Sequence, residues 1–235
     1  MGKLIAIRHG QSTWNAENRF TGWVDVDLSE KGVREAEKSG KLLKELNLDF
    51  DVCFTSYLKR AINTLEVVIK ILEKNYKYTK AWELNERHYG ELTGLNKDDM
   101  KKKYGDDKIF MFRRSWNVPP KPLNKNNPYH PANIETYNDI PREKLPDTES
   151  LKDTYERVIK YYTFNIEKNL NTNILIAAHG NSIRALCKYL FDLDNEKISK
   201  LEIPTGNPLL ITFDKKKVID AKYLDTSRAK DLIKF

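Results

Sequence analysis

Two of the four histidines in this chain stand in the same kind of place. His9 follows the apolar run Leu4-Ile5-Ala6-Ile7 and Arg8, and leads into Gly10; His179 follows Ile174-Leu175-Ile176-Ala177-Ala178 and leads into Gly180-Asn181. Each reads as an imidazole at the carboxyl end of a buried strand, the edge of an open parallel sheet at which ligands bind. If the two strands are neighbours, both rings face one cavity. A single histidine at a strand end is equally well explained as a satisfied structural residue, and the repetition tips the reading toward chemistry. Three further features fall on the same edge. Arg60 lies in the first turn of the helix after another strand, Glu86-Arg87 follows a short third one, and Asn15 sits in a polar loop beyond His9. A nucleophile, forked cationic donors and helix amino termini are what a phosphoryl group needs.

The chain has no Gly-x-x-x-x-Gly-Lys-[Ser/Thr] loop, so the nucleotide-triphosphatase cradle is absent. No carboxylate cluster of magnesium-site character accompanies either histidine, and no metal is expected. Phosphoryl transfer without a metal needs arginines to carry the charge and a nucleophile available at neutral pH. A neutral imidazole meets the second need. The other histidine can donate to the equatorial oxygens, and Glu86 is the candidate to shuttle the hydroxyl proton. Taken singly, Arg60 would be a solvated helix residue and Glu86 the salt-bridge partner of Arg87.

The elements that must hold these groups are legible. Lys3–Ile7, Asp51–Thr55, Asn173–Ala178 and Leu209–Phe213 read as strands, and Tyr78–Leu84 as a weaker one. Helical spacing joins Val33, Ala36, Gly40, Leu43 and Leu46 after Ser29 as N-cap, and joins Leu58, Ala61, Ile62, Leu65, Val68, Ile69 and Leu72 after Ser56. A third set, Leu151, Tyr155, Val158, Ile159, Tyr162 and Ile166, follows Ser150, where Asp153 completes a capping box. Alternation of this kind predicts one α/β domain over residues 1–235, a mostly parallel central sheet with helices on both faces. Seven of the nine prolines fall between Pro119 and Pro146, so the stretch at about 117–148 reads as a lid-like insertion, with His130 on its surface.

Composition narrows the rest. The chain has 235 residues with 41 Lys+Arg against 34 Asp+Glu, a net charge of +7. The segment from Lys97 to Lys121 holds eight basic and four acidic residues, so about +4 of that charge is local, which points to an anionic ligand site rather than a nucleic-acid surface. Lys101, Lys102 and Lys103 read as a solvated helix face. Cys53 and Cys187 read as small buried hydrophobes. No apolar run approaches the ~20 residues of a membrane span, and no secretory leader is expected, so the address expected is cytoplasmic.

Longer stretches carry a resemblance. Arg8-His9-Gly10-Gln11-Ser12-Thr13-Trp14-Asn15, Arg19-Phe20-Thr21-Gly22-Trp23, Leu58-Lys59-Arg60-Ala61, Leu84-Asn85-Glu86-Arg87-His88-Tyr89-Gly90, Arg113-Arg114 and Ala177-Ala178-His179-Gly180-Asn181-Ser182 are similar to the cofactor-dependent phosphoglycerate mutases of the histidine phosphatase superfamily. The Asn-Glu-Arg-His-Tyr-Gly block and the paired arginines are specific to the mutase branch. The resemblance implies that His9 is phosphorylated, with Arg8, Arg60, Asn15 and His179 around the phosphoryl group and Glu86 as proton donor and acceptor. It implies that Thr21, Gly22, Arg87, Tyr89, Lys97, Arg113, Arg114, Gly180 and Asn181 hold the rest of the substrate.

The activity so implied is interconversion of 3-phosphoglycerate and 2-phosphoglycerate, primed by 2,3-bisphosphoglycerate, in a homo-oligomer (dimer or tetramer) without nucleic-acid or membrane partners. The alternative is a phosphatase using the same histidines on bisphosphoglycerate or another small phosphate ester. What separates them is how well the insertion and the tail at about 224–235, shorter than in longer relatives, keep water out. A metal-dependent hydrolase with His9, His179 and Glu86 as ligands is a weaker rival, because the sequence offers no partners to orient such ligands.

Overall fold

The apolar run near the amino terminus forms β1 (Gly2–Arg8), and its side chains alternate between two cores. In the computed structural model, which describes residues 1–228, Leu4 and Ala6 face one side of the sheet while Ile5 and Ile7 face the other. The parallel neighbour of β1 is β4 (Asn173–Ala178), with Arg8 opposite Ala178. Beyond β4 lie β2 (Val52–Thr55) and β3 (Tyr78–Lys80), both parallel. On the other side of β1, β5 (Leu209–Asp214) and β6 (Lys217–Tyr223) run antiparallel, giving the order β3-β2-β4-β1-β5-β6. The sheet is thus mostly parallel and covered on both faces, one α/β domain.

One face is covered by α2 (Glu30–Glu45) and α3 (Lys59–Leu72), whose Leu43, Leu65 and Val68 pack on Ile5 and Ile7. The other carries α6 (Leu151–Tyr161) and α7 (Gly180–Leu190), with Leu151, Val158 and Ile183 against Leu4 and Ile176. Burying each such aliphatic side chain contributes about 1.5–3 kcal/mol. Between these layers the chain adds the four-residue α1 (Thr13–Ala16), α4 (Lys97–Tyr104), α5 (Asp106–Arg114) and α8 (Asn195–Lys200). The expected caps form: the Ser29 side chain accepts from the Gly32 N–H, and Ser150 and Asp153 close a capping box on α6. Lys102 and Lys103 of α4 are exposed and Lys101 is half-buried.

Four local readings are corrected. Val33 is exposed, because α2 turns Gly32 inward instead. A Cβ on Gly10 would lie 2.1 Å from the Gly32 carbonyl oxygen, so two backbones touch where a side-chain stripe was expected. The third strand ends at Lys80, and Trp82–Leu84 makes one 3₁₀ turn. The hairpin partner β6 was not anticipated. Its turn uses Lys215 and Lys216, both left-handed at φ 46° and 68°, where a glycine or asparagine would have signalled it. Finally His130 is buried, not on the surface. Its Nε2 is 2.8 Å from Asp147 Oδ1 and its Nδ1 accepts from the Ala132 N–H.

The proline-rich segment 117–148 lies over the carboxyl edge of the sheet, with Tyr137 and Ile140 packed on Trp23 and Leu58. Of the expected tail, residues 229–235 lie outside the described residues. Its first part is anchored by Asp225, which takes hydrogen bonds from Ser227 and Arg228 and an ion pair from Lys38 at 2.6 Å.

Candidate active site

Because Arg8 and Ala178 are in register, the two chains leave the sheet side by side, and the His9 N–H donates to the Ala178 carbonyl at 2.9 Å. The rings of His9 and His179 stand 4.9 Å apart between centroids, tilted by 60°. Nδ1 of His9 lies 2.6 Å from the Gly10 carbonyl oxygen. A carbonyl only accepts, so the proton sits on Nδ1 and Nε2 keeps its lone pair. Burial first, then the positive charges of Arg60 and Arg8, push the His9 pKa well below its ordinary value of 6.5. His9 is therefore a neutral, buried imidazole held in one orientation, with Nε2 unprotonated. His179 is driven the same way, by burial and then by Arg60 and His9.

Arg60, 1% exposed, is held by what it donates to: Nη1 to the Val24 carbonyl at 2.9 Å and Nη2 to the Gly22 carbonyl at 2.8 Å. Gly22 can present that carbonyl because its φ is +56°, a left-handed turn that glycine adopts without strain. Arg8 donates through Nη1 to Ile203, and its Nε is buried without a protein partner. Glu86 is buried, accepts from the backbone N–H of Arg87 at 2.7 Å, and receives the Asn181 N–H from the first turn of α7 at 3.2 Å. The alternative salt bridge does not form: all three guanidinium nitrogens of Arg87 are buried without a hydrogen-bond partner.

One cavity gathers most of the expected residues. Arg8, His9, Asn15, Thr21, Gly22, Arg60, Glu86, Tyr89, Lys97 and Arg113 line it, together with Arg19 and Phe20. Thr21 Oγ1 is another buried donor without a partner. Burial, then Arg113 and Arg8, pull the Lys97 pKa down to about 8. His179, Gly180, Asn181 and Arg87 are not among the lining residues but adjoin them: the His179 ring stands beside His9, Asn181 donates to the Tyr89 hydroxyl, and the Arg87 guanidinium lies 5.2 Å from the Tyr89 ring centroid. Arg114 is not brought in: it donates to the Leu201 carbonyl and pairs with Glu202 at 3.2 Å. Neighbours on a helix point about 100° apart, and of this pair it is Arg113 that lines the cavity. Among the described residues, no group of three or more His, Cys, Asp or Glu is placed to hold a metal ion.

The profile of the histidine phosphatase superfamily (branch 1) matches residues 4–128 and 124–224. The chain belongs to the histidine phosphatase superfamily. Among curated members, a 2,3-bisphosphoglycerate-dependent phosphoglycerate mutase of Pelagibacter ubique is 60% identical over 238 aligned residues, covering 100% of both chains. One of Maricaulis maris with the same name is 47% identical, over 99% of this chain and 98% of its own. Solved superfamily folds agree at lower identity. The alpha-ribazole phosphatase of Shigella flexneri has TM-score 0.69 at 19% identity over 92% and 93% of the two chains. Bacillus stearothermophilus YhfR has 0.70 at 21%, over 93% and 94%.

Two groups that position this superfamily site were not read from the sequence. Ser56, at the tip of β2, is fully buried; its Oγ lies 2.7 Å from His179 Nε2 and accepts from the Leu58 N–H at 3.1 Å. The signal was present, since Ser56 is the third residue to follow a strand end on that edge. Arg157 of α6 pairs with Glu149 at 2.6 Å and donates to the carbonyls of Glu83, Asn85 and Glu86, while Glu149 accepts from the His88 N–H. This clamp fixes the backbone that carries Glu86. In sequence Arg157 is one more charged residue on an amphipathic helix, and nothing distinguished it.

Proposed function

We propose that the protein interconverts 3-phosphoglycerate and 2-phosphoglycerate through a phosphorylated His9, with 2,3-bisphosphoglycerate as primer. The observation that carries this is the pairing of one neutral, oriented imidazole with more fixed positive charge than a single phosphoryl group requires. Arg8 and Arg60 act on His9, and Lys97 and Arg113 stand in the same cavity. A ligand with two or three anionic groups answers that arrangement. The full-length likeness to the curated mutases supports the same reading.

The buried donors without protein partners, Arg8 Nε, Thr21 Oγ1 and the Arg87 guanidinium, fit a polyanion such as 2,3-bisphosphoglycerate. When bound, that compound supplies the phosphoryl group that loads His9. From the loaded state, the N–P bond at Nε2 breaks as the hydroxyl oxygen of the monophosphate bonds phosphorus, and Glu86 takes the hydroxyl proton. Arg8, Arg60 and His179 meet the charge on the equatorial oxygens in a site that needs no reorganisation. In the return step Nε2 attacks the other phosphoryl group, and Glu86 gives its proton to the departing oxygen. The segment 117–148 keeps water from the phosphohistidine, which would otherwise hydrolyse. The reading places the enzyme in the cytoplasm as a homo-oligomer.

Brief exposure to 2,3-bisphosphoglycerate followed by mass analysis should show one acid-labile phosphoryl adduct, on His9, in a protein that also forms 2-phosphoglycerate from 3-phosphoglycerate. An adduct elsewhere, or none, overturns the assignment. Phosphate release without 2-phosphoglycerate would make the protein a phosphatase.

A further inference from the structure

Arg184 lies on α7, 5% exposed, and does not line the cavity. It donates through Nε to the Leu201 carbonyl at 3.0 Å and through Nη1 to Asn181 Oδ1 at 2.7 Å. Asn181 in turn donates through Nδ2 to the Tyr89 hydroxyl oxygen at 3.1 Å, and Tyr89 does line the cavity.

The chemistry of the first link determines the others. A guanidinium has five N–H donors and no acceptor, so the amide atom that faces it must be Oδ1. That leaves Nδ2, a donor only, toward Tyr89. The phenol oxygen is then committed as acceptor, and its own hydrogen is free to point away from Asn181. Without Arg184 the two ends of the amide are nearly interchangeable. Oδ1 could turn to Tyr89 and take the phenol hydrogen, leaving the cavity a phenol oxygen with lone pairs only.

We propose that Arg184 is a positioning residue that orients the Asn181 amide so that Tyr89 presents its hydroxyl as a hydrogen-bond donor to an anionic oxygen of the ligand. This rests on the phosphoglycerate reading above and refines it. At this wall the site accepts a carboxylate or phosphoryl oxygen and disfavours a group that can only donate. The arrangement carries an electrostatic cost. Burial, then the neighbouring Arg114, lower the Arg184 pKa to about 9, so a charged group has been placed where the loss of water and a second cation both oppose it. A neutral side chain could support the Leu201 carbonyl; fixing the amide requires a group that donates and never accepts.

The test is equilibrium binding by calorimetry to the full-length, unprimed protein, with two probes. 3-Phosphoglycerate carries a carboxylate, whereas glycerol 3-phosphate has a hydroxymethyl group in its place. Arg184→Met should weaken 3-phosphoglycerate binding about tenfold or more, the scale of a charge-assisted hydrogen bond lost in a buried site. Arg184→Lys, which also donates only, should restore most of it. If Tyr89 faces the carboxylate, the preference for 3-phosphoglycerate over glycerol 3-phosphate collapses in Arg184→Met; if it faces the phosphate, both probes weaken together. In a Tyr89→Phe background the Arg184→Met change should add no further loss, because the hydroxyl through which it acts is gone. Full additivity of the two substitutions, or unchanged affinity in a folded Arg184→Met protein, overturns the inference while leaving the proposed function standing. Failure of the wild-type protein to bind 3-phosphoglycerate overturns both.

Discussion

His9 and His179 meet as edge neighbours, 4.9 Å between ring centroids, because the strands that carry them are hydrogen-bonded in register up to the residue before each ring. The spacing belongs to the sheet itself. The backbone positions of the two residues cannot separate without disturbing β1 or β4, so their juxtaposition is a feature of the fold.

Both rings are buried neutral, as is His88, whose pKa is pushed down to about 3 chiefly by burial. In the unfolded chain each returns to about 6.5. Below that value the unfolded state binds more protons than the folded one, so stability rises with pH. The contribution is fully present above pH ~6.5 and drains as pH falls below it, by up to about 1.4 kcal/mol per pH unit for each ring. Urea midpoints at pH 7.5 and 5.5 should differ accordingly. Equal midpoints would mean that the rings are protonated in the native state.

Ser56→Ala removes the hydroxyl that holds His179 Nε2. Turnover should fall about tenfold, the worth of one buried hydrogen bond, with KM within about twofold. Ser56→Thr, which keeps the hydroxyl, should recover most of the rate. A loss confined to KM would place Ser56 in ligand binding instead.

Arg157→Met leaves Glu149 as a buried charge without its partner and frees three carbonyls. Breaking a buried pair in this way costs about 3–5 kcal/mol, to be read from denaturant unfolding. The surviving folded protein should lose kcat more than substrate affinity, since the loop bearing Glu86 is released. A shift below 1 kcal/mol would show that α6 alone supports that loop.

Gly10→Ala would drive a methyl group to within 2.1 Å of the Gly32 carbonyl oxygen. The loop after β1 must then lift, and with it the carbonyl that orients His9. A displacement of about 1 Å at a reacting group costs on the order of 10²-fold in rate. Phosphohistidine formation measured in a single turnover is the direct check, and a wild-type rate would show that α2 yields instead.

The parts of this fold that sequence reading captures are those with a continuous pattern. Runs such as Ile174 to Ala178 are buried on both faces and announce a central parallel strand, and the polar residues after them mark the functional edge. What escapes is set by contacts that leave no periodic trace. β6 follows a turn of two lysines and leaves Ile219 and Asp220 exposed in succession, burying only Ala221 and Tyr223 near its end, so neither pattern nor punctuation marks it. Gly32 displaces Val33 from the interior because one backbone rests on another. His130 is partnered by Asp147, and Arg114 is held by Leu201 and Glu202, and neither fact can be read from residue type. Ser56 and Arg157 act through other residues, so their roles exist only once the fold has formed.

The cations around His9 repel one another: after burial, it is Arg113 and Arg8 that lower the Lys97 pKa. A basin of like charges works against the fold that contains it, and a bound polyanion turns the repulsion into cohesion. Ligand at a hundred times its dissociation constant adds about 2.7 kcal/mol to the folded state. Resistance of the folded molecule to heat and proteases should therefore rise with the concentration of whichever anion binds there.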